Sequence, residues 1–364
     1  MSAIKKSYLL FIILLLIGLI VGCGKEEASN SKNVSSKKGS SDKVYELNVN
    51  NWAPSTHHYA YNVYEPWKKL VEEKTNGRVK VNIYHGSALG KSTSVYQDVK
   101  GGLYEVGVAV TSYFPDTDLF PYTIGNLPFA FNDAEEASKV LKKFGEKYAN
   151  ESLSKEFIVM NPLTTDPYDL FSSKPIKSID DLKKTKMRSS SNSETTLEKA
   201  IGAVPVTIST DGAYEGLQKK QIDSTFYTPI GSVGLKFYEP APYITKVHSS
   251  VMPVIPIMNK SFYESLPDDL QKIFDKELNP KLSELLIKSY ETEVENAYKT
   301  LEEKLKDRGK IITLSDKEVQ RFKEAGKVSW DEWIEEANKK GYPGQEMVDE
   351  LIKIMAAEGL PKPF

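Results

Sequence analysis

Arginine is the residue type of this sequence best suited to binding a carboxylate, because a guanidinium presents two parallel N–H donors. Four arginines stand among 48 basic residues: Arg78, Arg188, Arg308 and Arg321. Arg188 differs from the others because it ends a short predicted strand and precedes a predicted helix that begins near Asn192. An anion there would contact the guanidinium and the free amides of the helix together. From the residues alone, Arg188 is either an anion-binding residue or one partner of a surface ion pair.

The histidines do not show the spacing of metal ligands. His57, His58, His85 and His248 contain no i, i+4 pair, and no cysteine lies near any of them. Zinc sites need such neighbouring ligands, so no metal site is predicted. His57 follows the end of a predicted strand, where open α/β sheets bind their ligands, and is therefore a candidate pocket residue.

No other pattern predicts a cofactor or catalytic residues. Segment His85–Ser92 resembles a phosphate-binding loop that lacks its first glycine, so we interpret it as a turn between a strand and a helix. No Gly-x-Ser-x-Gly motif occurs, and most carboxylates lie beside lysines on predicted helix faces. The charge balance of 48 − 50 = −2 excludes a strongly basic protein that binds nucleic acid.

The single cysteine, Cys23, follows an apolar run from Leu9 to Val21. The run is shorter than the ~20 apolar residues of a membrane span and is typical of a secretory signal. Its end resembles the lipobox of bacterial lipoproteins, which implies loss of signal peptide 1–22 and a diacylated Cys23 that anchors the protein to the extracytoplasmic face of the cell membrane. The alternative is an ordinary cleaved signal with an incidental cysteine. Residues 23–43 are polar and predict a flexible tether.

Strands and helices alternate through the rest of the chain, which predicts an α/β fold with parallel pairing. Strands are predicted over 45–50, 79–84, 106–110, 157–161, 168–172, 185–188, 204–206, 222–226, 243–248 and 251–258. From Leu266 onward the pattern is almost entirely helical. A helix over 280–308 would be about 43 Å long, enough to brace two domains.

A set of short motifs, in this order along the chain, resembles the extracytoplasmic solute-binding proteins of tripartite ATP-independent periplasmic (TRAP) transporters. The motifs are Thr75–Val79, Gly86–Gly90, Leu127–Phe129, Lys174–Ile176, Ile179–Lys183, Lys186–Arg188, Gly202–Pro205, Tyr214–Gln218, Ile222–Asp223 and Lys236–Glu239. Each is weak alone, but the ordered set is specific and runs from about Val44 to the C-terminus.

The resemblance implies a two-lobed, periplasmic-binding-protein-like fold with mixed, mostly parallel sheets, a long interlobe helix and a helical C-terminus. We expect lobe I to contain 44–165 and 254–292, and lobe II to contain 166–253 and 293–364. The expected ligand is a small organic acid, and the expected partners are the integral membrane subunits of a TRAP transporter. We also expect a monomer, no cofactor, no nucleic-acid partner and no enzymatic activity.

The resemblance makes Arg188 the residue that binds the ligand carboxylate, places Asn51 at the ligand-facing end of the first strand, and puts Thr228 where many members have asparagine. A second arginine common in the family is missing from 166–171, which argues against a dicarboxylate or sialic acid. Aromatic residues expected around the cleft suggest a monocarboxylate with an apolar or aromatic body, such as a 2-oxo acid or an aromatic acid. They include Trp52, Tyr113, Phe114, Tyr168, Phe226 and Tyr227.

Three other functions remain open on the sequence. An ABC-type solute-binding lipoprotein would have the same class of fold. A secreted hydrolase or lyase would need a nucleophile and a metal set, and neither is recognisable in the sequence. A structural adhesin would bind no small ligand saturably.

Overall fold

Two β-sheets with helices around them make up the folded chain. The computed structural model describes residues 43–364, so the predicted signal peptide, Cys23 and residues 23–42 of the tether lie outside the described residues. The first sheet contains β1 (Tyr45–Asn51), β2 (Val79–His85), β3 (Val106–Val110), β4 (Phe157–Val159), β5 (Leu163–Thr164) and β11 (Pro253–Asn259). The second contains β6 (Asp169–Ser172), β7 (Lys186–Ser189), β8 (Val204–Thr207), β9 (Ser224–Tyr227), β10 (Tyr243–Lys246) and β12 (Lys310–Thr313).

Helices connect and cover these strands. They are α1 (Glu65–Lys74), α2 (Val95–Lys100), α3 (Ala134–Tyr148), α4 (Asn150–Leu153), α5 (Asn192–Ala200), α6 (Thr210–Gln218), α7 (Pro229–Leu235), α8 (Lys260–Ser265), α9 (Asp268–Ile273), α10 (Asn279–Leu305), α11 (Asp316–Lys339) and α12 (Gly344–Ala357). A π-helical turn over Tyr59–Tyr64 leads into α1. Among residues 43–364, no helix is both long enough and apolar enough to span a membrane.

Both sheets are mixed, as predicted, but parallel pairing does not predominate. Of the ten strand pairings in the described part of the chain, five are parallel and five antiparallel. The physical reason is that the chain crosses twice between the sheets. It enters the second sheet as β6, antiparallel to β9 and β10, and returns as β11, antiparallel to β3, β4 and β5.

The predicted long helix is present as α10 and contacts the elements of both sheets. The hydroxyl of Tyr290 lies 2.6 Å from that of Tyr59, in the turn before α1. Two helical turns later, the Tyr298 hydroxyl donates to Asp169 Oδ2 of β6 at 2.6 Å. These two hydrogen bonds connect one long helix to both halves of the fold.

The position of the last helix, α12, differs from the predicted assignment of residues to the two lobes. α12 packs against α3, which is on the side of the first sheet, and not with the second sheet as expected for residues 293–364. Lys147 of α3 pairs with Glu350 at 2.9 Å, and Lys143 pairs with Glu358. The reason is that α11 crosses between the two halves: its Trp330 donates to Pro128 O at 3.1 Å. The other lobe boundaries stay a prediction.

The close packing of Gly145 in α3 against Tyr122 can be tested by measuring the stability of a variant. A Cβ at Gly145 would lie 1.9 Å from the hydroxyl oxygen of buried Tyr122, which itself donates to Asn150 Oδ1 at 2.7 Å. On a solvent-exposed helix face, replacing Gly with Ala stabilises the protein by about 1 kcal/mol. Here we expect Gly145→Ala to lower the free energy of unfolding by about 1–3 kcal/mol, because the added methyl overpacks the core.

Urea denaturation measures this change. Lys142→Ala, on the exposed face of the same helix, is the matched control and should stay within about 0.5 kcal/mol of the wild type. A Gly145→Ala protein as stable as the wild type would contradict the packing described for α3.

Candidate ligand-binding site

Arg188 lies at the junction of β7 and α5, as the sequence predicts for these two elements. The Ser191 side chain caps α5 by accepting from Glu194 N at 3.0 Å. The arginine is 1% exposed. Among residues 43–364, no carboxylate lies within ion-pair distance of its guanidinium, so a full positive charge is buried without an ionic partner.

Neutral groups hold the guanidinium in place. Its Nε donates to Ile208 O at 2.8 Å, and its Nη1 lies 3.4 Å from Thr225 Oγ1. Its Nη2 donates to the Tyr113 hydroxyl and to Thr210 Oγ1, each at 3.1 Å. Tyr113 follows β3 of the first sheet, whereas the other partners belong to the second. The guanidinium therefore lies where the two halves of the fold meet.

Three predicted aromatic residues surround this charge. Besides Tyr113, the ring of Tyr227 faces the guanidinium with its centroid 5.9 Å from Cζ. The Tyr168 ring lies 5.6 Å from that of Tyr227. Burial raises the pKa of both Tyr168 and Tyr227 above the usual tyrosine value, so both remain neutral hydroxyls. The structure thus brings together Arg188, Tyr113, Tyr168 and Tyr227.

A second group of predicted residues follows β1. The Trp52 ring lies 5.8 Å from the His57 ring, and its Nε1 is buried with no hydrogen-bond partner among the described residues. Burial lowers the pKa of His57 to about 3, so this imidazole is neutral. Asn51 instead fixes the end of the strand: its Nδ2 lies 3.0 Å from His85 Nδ1, and its Oδ1 accepts from Ala53 N at 3.2 Å.

The first turn of α7 lies between the two groups. A Cβ at Gly231 would be 2.8 Å from Tyr227 Cε1 and 3.4 Å from His57 Nε2. Thr228 caps this helix and donates its hydroxyl to the buried carboxyl of Asp166. The Thr228 hydroxyl is therefore engaged within the protein and positions α7.

Sequence reasoning missed a polar contact between the halves. Asp211, in the first turn of α6, accepts from Ser92 N at 3.2 Å, from Ser87 Oγ at 3.4 Å and from Ser92 Oγ. The two serines belong to the turn after β2. On the other side of the site, Thr56 Oγ1 donates to Gly234 O of α7 at 3.0 Å.

Comparison with known proteins agrees with this architecture. The sequence model of the family described as "Bacterial extracellular solute-binding protein, family 7" matches residues 49–337. The chain belongs to this family. The predicted TRAP solute-binding membership is thereby confirmed. Members of the family are solute-binding proteins and not enzymes, which removes support for the hydrolase or lyase alternative.

One relative of this family 7 chain is the 2,3-diketo-L-gulonate-binding periplasmic protein of Escherichia coli, which is 27% identical over 209 residues. The match covers 56% of this chain and 62% of the relative, so less than two thirds of the relative is spanned.

Two solved structures share the two-lobed fold. A TRAP solute-binding protein of Rhodoferax ferrireducens, in complex with copurified benzoate, superposes with a TM-score of 0.80 at 21% identity over 87% of this chain and 99% of its own. A marine metagenome TRAP solute-binding protein is described as specific for aromatic acid ligands and was solved in complex with 3-hydroxybenzoate. It superposes with a TM-score of 0.77 at 26% identity, over 86% of this chain and 99% of its own.

The contact at Asp211 predicts a shift between closed and open forms. Asp211→Ala removes three acceptor contacts across the cleft. Because Asp211 is exposed, we expect the loss to favour opening by only about 1 kcal/mol, roughly fivefold in population. Small-angle scattering should then give a larger radius of gyration than for the wild type.

Asp180→Ala is the control, because Asp180 is an exposed residue that pairs with Arg321 and Lys183 and does not face the first sheet's loops. Identical scattering profiles for Asp211→Ala and the wild type would show that these contacts do not hold the cleft.

Proposed function

We propose that this protein is an extracytoplasmic receptor that binds a small organic acid between its two lobes and delivers it to the membrane subunits of a TRAP transporter. Binding would occur by closure of the cleft, without covalent chemistry. The observation that carries the proposal is the buried charge of Arg188, which lies between the two halves with no carboxylate of the described residues within ion-pair distance.

A ligand carboxylate would supply a countercharge in direct contact with the guanidinium. An isolated buried charge is costly, and hydroxyl and carbonyl groups compensate it less well than a carboxylate does. Nη2 already uses both hydrogens on Tyr113 and Thr210, while Nη1 has one weak contact at 3.4 Å. We infer that the ligand takes the free Nη1 donor and displaces the Tyr113 hydroxyl from Nη2.

The surroundings favour a monocarboxylate with an aromatic or apolar body. The other three arginines are engaged elsewhere: Arg78 pairs with Asp269, Arg321 pairs with Asp180 and Glu318, and Arg308 stacks on Tyr238. A second carboxylate would therefore find no second guanidinium. The aromatic-acid specificity of the marine metagenome relative supports the same ligand class.

Arg188→Ala tests the proposed carboxylate contact. Losing one partner of a buried, hydrogen-bonded charge pair costs about 2–5 kcal/mol, so benzoate affinity should fall about 30- to 3000-fold. Arg188→Lys should also bind more weakly, since an ammonium retains the charge without the two-pronged geometry. Isothermal titration calorimetry with benzoate, or with the tightest binder from a carboxylate thermal-shift panel, measures both.

Arg321→Ala is the matched arginine control and should bind normally. If the folded Arg188→Ala protein binds within threefold of the wild type, Arg188 is not the carboxylate contact. If the wild type binds no member of the carboxylate panel, the proposed ligand class is wrong.

The remaining parts of the proposal concern location and assembly. We propose that Cys23 carries the lipid anchor, that residues 23–43 act as a tether, and that the receptor works as a monomer. A TRAP partner is favoured over an ABC-type permease because the family match covers residues 49–337.

Cys23→Ser tests the anchor. Without an acylated cysteine, the protein should leave the membrane fraction and appear in the medium or periplasm, because two acyl chains supply the stable attachment. Fractionation after a high-salt wash measures this release. A signal-cleaved Cys23→Ser protein that remains membrane-bound would contradict the anchor, whereas Ser35→Ala in the tether should remain anchored.

A further inference from the structure

Two buried carboxyl groups lie in α5, directly after the arginine. Glu194 and Glu198 are four residues apart, so they share one face of the helix. They are 2% and 0% exposed. Both carboxyl oxygens of Glu198 and Oε1 of Glu194 have no hydrogen-bond partner among the described residues. The other oxygen of Glu194 accepts from Ser190 N at 2.9 Å and from Ser190 Oγ at 2.7 Å.

The groups that face this pair come from several elements. Arg188 of β7 acts on both carboxyls, and Tyr168, Tyr227 and Tyr113 surround the guanidinium. On the other face of α5, α11 binds Thr196 through Glu332 and Asn192 through Glu336, with Lys199 and Lys339 nearby. Among the described residues, Arg188 is thus the cation from outside α5 that acts on both buried glutamates.

Charge counting shows why this arrangement matters for an anionic ligand. With both glutamates ionised, the triad of Arg188, Glu194 and Glu198 carries +1 − 2 = −1 and repels a carboxylate. With both protonated, it carries +1, and a bound carboxylate makes the buried site neutral. Uncompensated charge is costly in a buried site, so the bound state favours the protonated pair.

We propose that Glu194 and Glu198 are a proton-binding pair that couples ligand binding to proton uptake, so that a carboxylate anion enters the closed cleft together with a proton from solvent. The proton adds to one glutamate carboxylate and forms a neutral carboxylic acid. This inference rests on the proposed binding of a carboxylate at Arg188 and extends it to the charge that the site accepts.

The burial and charges around the two glutamates support the sign of this coupling. Burial raises the pKa of Glu198 well above the usual glutamate value, and the charge of Glu194 raises it further. Burial also raises the pKa of Glu194, against the opposing effect of Arg188. A ligand anion raises both pKa values again, so the bound state holds more protons than the free state. Affinity should therefore increase as the pH falls.

Calorimetry with benzoate at pH 6, 7 and 8 tests the proposal, in pairs of buffers with different ionisation enthalpies. Free carboxylic acids titrate near pH 4, so benzoate stays ionised throughout. We expect proton uptake at one or more of these pH values. Uptake of one full proton tightens the Kd about tenfold for each unit of pH decrease.

Glu198→Gln should reduce the proton uptake and flatten the pH dependence, while benzoate still binds. Glu194→Gln is the second variant, since its amide oxygen can still accept from Ser190. Glu335→Gln, whose side chain is 71% exposed on α11, is the matched control and should behave as the wild type.

The outcomes separate this inference from the proposed function. If the wild type binds benzoate with no buffer-dependent heat at any of the three pH values, the proton-binding pair is disproved and the carboxylate receptor stands. If uptake occurs and Glu198→Gln and Glu194→Gln both retain it in full, the proton binds elsewhere and the assignment is wrong. If no carboxylate binds the wild type, the proposed function itself fails.

Discussion

The structure depends on one constraint, which is that a full positive charge is buried between two halves of the chain without an ionic partner from the described residues. Arg188 is fixed by a carbonyl, three hydroxyls and a tyrosine ring, and none of them carries a negative charge. Burying such a charge costs free energy, and a bound anion stabilises the site most. The capped start of α5 and the first turn of α6 both serve to position groups around it.

The same constraint explains how the two halves are joined. The guanidinium belongs to the second sheet, but one of its hydroxyl partners, Tyr113, follows a strand of the first. The hydrogen bond from Arg188 to Tyr113 therefore joins the two halves at the buried charge. α10 also contacts both halves. The hydroxyls of its Tyr290 and Tyr298 form 2.6 Å hydrogen bonds to Tyr59 of the first half and Asp169 of the second. In the proposed cycle, a ligand carboxylate replaces a weak neutral acceptor with a strong charged one.

The sequence predicted the elements that local periodicity determines, and it did not predict those that distant contacts determine. The junction of β7 and α5 and the long helix α10 were foreseeable, because a strand end, a serine cap and a run of apolar positions are all local signals. The almost entirely helical pattern after Leu266 does not predict β12, which is a strand because it pairs in parallel with β10. The two-residue β5 has no pattern of its own and exists through pairing with β11.

The binding site was also predictable only in part. Arginine scarcity and the family motifs singled out Arg188, and the aromatic residues around it followed from the resemblance. The sequence did not predict that Glu194 and Glu198 are buried, because Ser-x-x-Glu at a helix start is also an ordinary capping pattern. The partner of Asp211 could not be inferred either, since Ser92 lies more than a hundred residues away in the chain.

A crystal structure of the protein grown with benzoate would show directly whether Arg188 binds the ligand carboxylate. We expect both carboxylate oxygens within about 2.7–3.2 Å of the Arg188 guanidinium, with the Tyr113 hydroxyl moved off Nη2 and the benzoate ring against Tyr168 or Tyr227. Benzoate bound elsewhere, with Arg188 still donating to Tyr113 and Thr210, would contradict this role of Arg188.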